Sequence, residues 1–193
     1  MPKVGMEPLR RRQLIEATIK VVAEVGLHST TISLISQCAG LSSGIISHYF
    51  GNKQGLIEAS VRHLLGELKV NCTNASAKDR LYHIISVNFA SGLRAKNTTK
   101  TWLSFWAQSL HDPELARLQE VNRRRLLSNL RYSFSQVLPR EQAVDSAELL
   151  AALIDGFWLR CTLSSADDAE FDHAINRCQQ FVNDILGEPV SVE

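Results

Sequence analysis

Apolar residues recur every three or four positions along nearly the whole chain, and no alternating run bounded by turn residues interrupts that rhythm. Leu14, Ala17, Val21, Val22 and Val25 line one face of a first helix over residues 10–25, which Gly26 closes. Ile32, Ile35 and Ala39 mark a second helix, with Thr30 and Thr31 offering N-cap oxygens; Ile46 and Phe50 mark the inward side of a third. Only Gly40, Leu41 and Ser42 separate these two short helices. Glycine can take the positive φ that ends a helix, and serine is a strong N-cap for the next. A helix of barely two turns is not stable alone in water, so packing must hold it. A fourth helix opens at Asn52 and Lys53 and carries Leu56, Ile57, Val61, Leu64, Leu65 and Leu68 to about Val70, which makes it the expected mechanical link.

The polar, turn-forming stretch NCTNASAKD over 71–79 sets the expected domain boundary. Helices are then predicted over 80–93, 99–111, 113–137, 140–163 and 170–186, with breaks at 91–98, 111–113, 137–139 and 164–168. The fold class is therefore all-α, with an N-terminal three-helix domain and its connecting fourth helix over 1–70 and a C-terminal helical bundle over 71–193.

The outward side of the third helix carries Ser43, Gly44, Ser47, His48 and Tyr49, which are small, polar or hydrogen-bonding. This is the anatomy of a helix-turn-helix whose second helix enters a DNA major groove. Phe50 is assigned to the core and Tyr49 to the DNA side. Charge supports this reading only locally. The net charge is +1, yet residues 1–69 hold eight Lys or Arg against five acids, while residues 70–193 hold thirteen against fifteen. Arg10, Arg11 and Arg12 supply much of the surplus and are candidates for phosphate or minor-groove contacts, which need local rather than overall positive charge.

Other chemistry is sparse. There is no nucleophile elbow, phosphate-binding loop, dinucleotide fingerprint or zinc-ligand spacing, so no enzyme, cofactor or metal is expected. Cys38, Cys72, Cys161 and Cys178 are scattered and read as small buried hydrophobes. Asp167, Asp168, Glu170 and Asp172 read as a solvated loop favouring a helix start. No run reaches the ~18 apolar residues of a membrane helix, and the first residues lack the apolar core of a secretory signal, so a cytoplasmic protein without membrane contact is expected. Residues 147–163 are apolar nearly all round, and Phe171, Ile175, Cys178, Phe181, Val182 and Ile185 repeat along the last helix. Two such helices suit a twofold four-helix interface. Paired recognition helices reading half-sites one DNA turn apart call for the same homodimer.

The block TTISLISQCAGLSSGIISHYFGNKQGLIEA, with its paired Thr, AGLS turn, YF pair and following NK, resembles the DNA-binding domain of the TetR family of transcriptional repressors. The segments MPKVGMEPLRRRQLI, WLSFWAQSLHDPEL, RRRLLSNL, LPREQA and AALIDGFWLR resemble, within that family, the choline-responsive repressors of glycine betaine synthesis; over 164–193 the likeness is poor. The resemblance implies a dimer on a palindromic operator, released by a small ligand in the C-terminal domain. By position it implies phosphate contacts for Tyr49 and Lys53, base-reading or groove-wall places for Ser43, Gly44 and Ser47, and phosphate contacts near Thr31 and Ser33, with Ser42 also among the DNA-binding residues. Trp102, Phe105 and Trp106 share one helical face, and Trp158 lies on a later helix. Aromatics at helical spacing are core by default. The resemblance makes Trp102, Trp106 and Trp158 a cage for a quaternary ammonium, with Phe105 beside it and Asp155 for the charge or hydroxyl. Two other readings remain open at this point: a repressor answering another cationic or apolar molecule, and an all-helical binding protein or enzyme with an incidental helix-turn-helix.

Overall fold

The computed structural model describes residues 6–70, 72 and 75–187, and among them the chain is helical throughout, with no strand. Ten helices follow in order: α1 (Met6–Ser29), α2 (Ile32–Ala39), α3 (Ser43–Phe50), α4 (Lys53–Glu67), α5 (Ala77–Asn88), α6 (Ser91–Arg94), α7 (Lys96–Ser109), α8 (Pro113–Phe134), α9 (Arg140–Ser164) and α10 (Asp168–Leu186). They form two compact units. One runs to Glu67 and takes in Ala95–Glu120; the other comprises Leu68–Arg94 and the residues from Val121 onward.

In the first unit, α1 leaves helical geometry at Gly26 (φ 78°, ψ 163°), the break expected there, and a last turn follows to Ser29. Leu14, Ala17 and Val21 of α1 pack with Ile35, Ile46 and Leu56 into a small core in which every member is buried. Ile46 is fully buried and is the main anchor of α3, so truncating it to Ala would cost about 2–5 kcal/mol. Helix α4 stops at Glu67, three residues before the expected end. A larger difference concerns residues 91–98, which had been expected to form a break. Ser91–Arg94 form α6, and Lys96 already opens α7, because Ala90 and Ala95 carbonyls accept from Leu93, Arg94 and Thr99 amides. Helix α7 lies along α1, and the Thr101 hydroxyl donates to the Ile19 carbonyl at 3.0 Å.

In the second unit, α10 packs against both α9 and α5. Leu81, Ile84, Ile85, Phe134, Leu150, Ile154, Phe171, Cys178 and Val182 are buried there. The Tyr82 hydroxyl donates to Asn183 Oδ1 at 2.8 Å, joining α5 to α10. The acidic run is more than a solvated loop. Asp167 caps α10 by accepting from the Glu170 amide, and Asp168 and Asp172 pair with Arg94 at 3.6 and 2.8 Å. Of the cysteines, Cys161 and Cys178 are buried, and burial pushes the Cys178 thiol up to about 12. Cys38 is exposed and Cys72 half-buried, so the expectation fails for these two: Cys38 lies on the outward side of α2, off its apolar stripe.

Candidate nucleic-acid interface and effector residues

The turn between α2 and α3 follows from its residues. Gly40 adopts the left-handed conformation (φ 63°, ψ 31°), and the Leu41 amide reaches back to the Ser36 carbonyl at 3.0 Å. Thr31 caps α2 by accepting from the Leu34 amide at 3.2 Å. Thr30 has a different job from its neighbour: fully buried, it donates to the Gly26 carbonyl at 2.7 Å. Ser42 stands at the N-cap of α3 in extended geometry, but its hydroxyl makes no capping bond, contrary to expectation. The start of α3 is closed instead by the Ile45 amide on the Ser42 carbonyl at 3.1 Å.

Ser42, Ser43, Gly44, Ser47 and His48 are exposed, as are Thr31 and Ser33 on α2. A Cβ at Gly44 would meet nothing within 4 Å, so the backbone there is open to a close approach. Gly55 is the opposite case: a Cβ there would overlap the Phe50 carbonyl oxygen, so α4 can start this close to the end of α3 only with glycine at that position.

Tyr49 corrects the sequence reading, which denied it a packing role. It is half-buried against the small core, with Phe50, and the Arg11 guanidinium lies over both rings at 5.1 and 5.2 Å. Arg11 also donates to the Tyr49 carbonyl at 2.8 Å and pairs with Glu7 at 2.8 Å. It braces the recognition helix from α1, a role invisible without the tertiary contact. Arg12 pairs with Glu16 at 2.8 Å, leaving Arg10 as the third member of the cluster on the same helix. Lys53 donates to the Thr30 carbonyl at 3.1 Å; its ammonium has two further N–H groups.

Sequence reasoning overlooked Gln54 and Asp112. Asp112 Oδ1 accepts from the Glu114 and Leu115 amides and so caps α8, while its Oδ2 accepts from Gln54 Nε2 at 2.9 Å. The available signal was the Asp-Pro pair that opens α8.

The structure brings the α7 aromatics together. Trp102 and Phe105 are buried and Trp106 half-buried, with Trp102 ring centroids 5.4 Å from Phe105 and 6.3 Å from Trp106. Their core role is thus real. On α9, in the other unit, Trp158 is buried and Asp155 lies one turn before it. Asp155 is solvent-accessible by area, yet protein atoms crowd it enough that desolvation raises its carboxyl to about 6.

The profile of tetR-family bacterial regulatory proteins matches residues 14–60, which hold α2, α3 and most of α1 and α4. That of BetI-type transcriptional repressors, C-terminal, matches 77–187. The chain belongs to the TetR family, with a BetI-type C-terminal domain. It is a transcriptional repressor, not an enzyme. The match through residue 187 corrects the expectation that likeness is poor beyond 164. Among curated relatives, the HTH-type transcriptional regulator BetI of Klebsiella pneumoniae is 51% identical over 85% of this chain and 88% of its own. The BetI of Escherichia coli strain SE11 is 48% identical over 92% and 95%. A transcriptional regulator from Saccharomonospora viridis, solved in complex with choline, shares the fold (TM-score 0.75, 22% identity, covering 91% of this chain and 96% of that one). No helix among the described residues is long and apolar enough to cross a membrane.

Proposed function

We propose that this repressor controls the genes converting choline to glycine betaine, binds their palindromic operator as a homodimer, and responds to choline. The BetI-type match over 77–187 carries this reading, because the sensing domain is where TetR-family members ordinarily diverge. The chemistry is consistent with it. A quaternary ammonium offers no N–H donor, so it is held by aromatic faces, worth ~0.5–2 kcal/mol each, and by a nearby carboxylate. The candidate contacts are Trp102, Phe105 and Trp106 on α7 and, on α9, Trp158 and Asp155. The DNA-reading surface is Ser42, Ser43, Gly44, Ser47 and His48, with Thr31, Ser33, Tyr49, Lys53, Arg10 and Arg12 at the backbone and Arg11 bracing Tyr49 from α1. A solved structure of the same fold that holds choline lends support.

Calorimetry with choline, betaine aldehyde and glycine betaine, together with mobility shifts on the upstream DNA at stated salt, tests the proposal. Choline is expected to bind and to weaken operator retention. The α7 set (Trp102→Ala, Trp106→Ala) and the α9 set (Trp158→Ala, Asp155→Asn) are tested separately and are expected to lose that response while retaining operator binding. Absence of choline binding to the wild-type chain would leave a TetR-type repressor with another effector.

A further inference from the structure

Thr162 on α9 departs from what other buried hydroxyls of this protein do. Thr18, Ser60 and Ser133 each donate to the carbonyl four residues earlier in their own helix, at 2.7, 2.9 and 2.9 Å. Thr162 is half-buried and its hydroxyl is shut off from solvent, yet that hydroxyl has no hydrogen-bond partner among the described residues, although the Trp158 carbonyl stands at the same spacing. A buried hydroxyl without a partner is costly, and a ligand group that supplies the missing bond removes that cost.

The position of Thr162 narrows the ligand. Residues three, four and seven apart share one stripe of a helix, so Asp155, Trp158 and Thr162 stand in a row. Trp158 lies ~4.5 Å along the axis from Asp155, and Thr162 ~6 Å further on. Trp158 is buried, and protein atoms crowd the Asp155 carboxyl. The exposed leucines of α9 lie on another side, because neighbours such as Thr162 and Leu163 are ~100° apart around the axis. The hydroxyl therefore belongs with Asp155 and Trp158 rather than with the apolar side left for a partner chain. Choline joins a positive charge and three methyl groups to a hydroxyl two carbons away. The row offers a carboxylate for the charge, an aromatic face for the methylated ammonium and one hydroxyl beyond them. We infer that Thr162 Oγ1 makes the hydrogen bond to the choline hydroxyl, and is the residue by which α9 separates choline from quaternary ammonium ions that lack one. The inference rests on the choline reading and adds to it the group that reads the hydroxyl.

Titration calorimetry of the full-length protein with choline and with propyltrimethylammonium, in which a methyl group replaces the hydroxyl, tests it. The wild type is expected to bind choline about three- to tenfold more tightly, the range of one neutral hydrogen bond. Thr162→Val is expected to erase that preference by weakening choline alone, Thr162→Ser to keep it, and Asp155→Asn to weaken both ligands alike. Because valine replaces a hydroxyl without a partner, the ligand-free Thr162→Val variant is expected to melt no lower than the wild type. The inference is overturned if Thr162→Val keeps the wild-type preference or if the wild type binds the two ions equally; in both cases choline still binds, and the choline reading stands. It is also overturned if ligand-free Thr162→Val melts several degrees below the wild type, since the hydroxyl would then already be bonded within the protein. If neither ion binds the wild type, the choline reading and this inference fall together.

Discussion

Arg11 engages four groups at once: Glu7, the Tyr49 carbonyl and the rings of Tyr49 and Phe50. Sequence places it in a run of three arginines and suggests phosphate contact for all of them. Geometry gives it a bracing role, which makes a distinct prediction. Arg11→Ala is expected to lower operator affinity by misplacing Tyr49 while leaving the slope of log affinity against log salt unchanged. Loss of a true phosphate contact instead lowers that slope by about 0.9. Filter binding across a salt series separates the two outcomes. Asp155 gives a second prediction at this scale. Its carboxyl is raised to about 6 by desolvation, so the folded state holds the proton more tightly than the unfolded state does. The contribution of Asp155 to stability therefore declines as pH rises from the usual carboxylate range through about 6, and Asp155→Asn is expected to be relatively more stable at pH 7 than at pH 4 in urea titrations. A cation is drawn to the ionised form, so choline affinity is expected to rise with pH through about 6 and then level off, with the Asn variant showing no such rise.

At the scale of elements, the expected link between sensing and reading was α4 alone. Under the proposed choline reading α7 supplies a second route, because the helix carrying Trp102, Phe105 and Trp106 lies along α1 and bonds it through Thr101. The corner that follows returns to α4, where Asp112 caps α8 with one oxygen and accepts from Gln54 with the other. Gln54 is four residues after Phe50, the last residue of α3. Substitutions can separate the two bonds. Asp112→Ala loses both and is expected to cost ~0.5–2 kcal/mol of stability, the usual effect of removing a cap. Gln54→Ala keeps the cap and is expected to leave stability nearly unchanged while shifting the choline concentration needed for operator release, with choline affinity of the DNA-free protein unaltered. Denaturant titration and paired binding assays check both.

For the whole molecule, the feature that remains is apolar surface left on one chain. Leu149 is 56% and Leu163 68% exposed on α9, two heptads apart and so close to one face, and Ile185 on α10 is 36% exposed. In the proposed dimer these side chains are covered by the partner. Leu163→Glu is expected to shift the dimer towards monomer in sedimentation experiments. Operator affinity should fall with it, because one recognition helix alone reads a single half-site.

Sequence alone determined the all-helical class, the helix-turn-helix and the absence of recognisable catalytic chemistry. These rest on apolar period, glycine punctuation and capping residues, which act within a few positions of one another. The α2–α3 turn was legible because Gly40 and Thr31 act locally, and the family resemblance was legible because aromatic and turn residues keep their order along the chain. Tertiary structure decided what depended on distant partners. It put Arg11 on Tyr49 across 38 positions, and it gave Asp112 a second partner 58 positions away. It also buried Thr30 while leaving its neighbour Thr31 exposed. Local propensity cannot report such contacts, because the energy that selects them comes from surfaces brought together only after the helices pack.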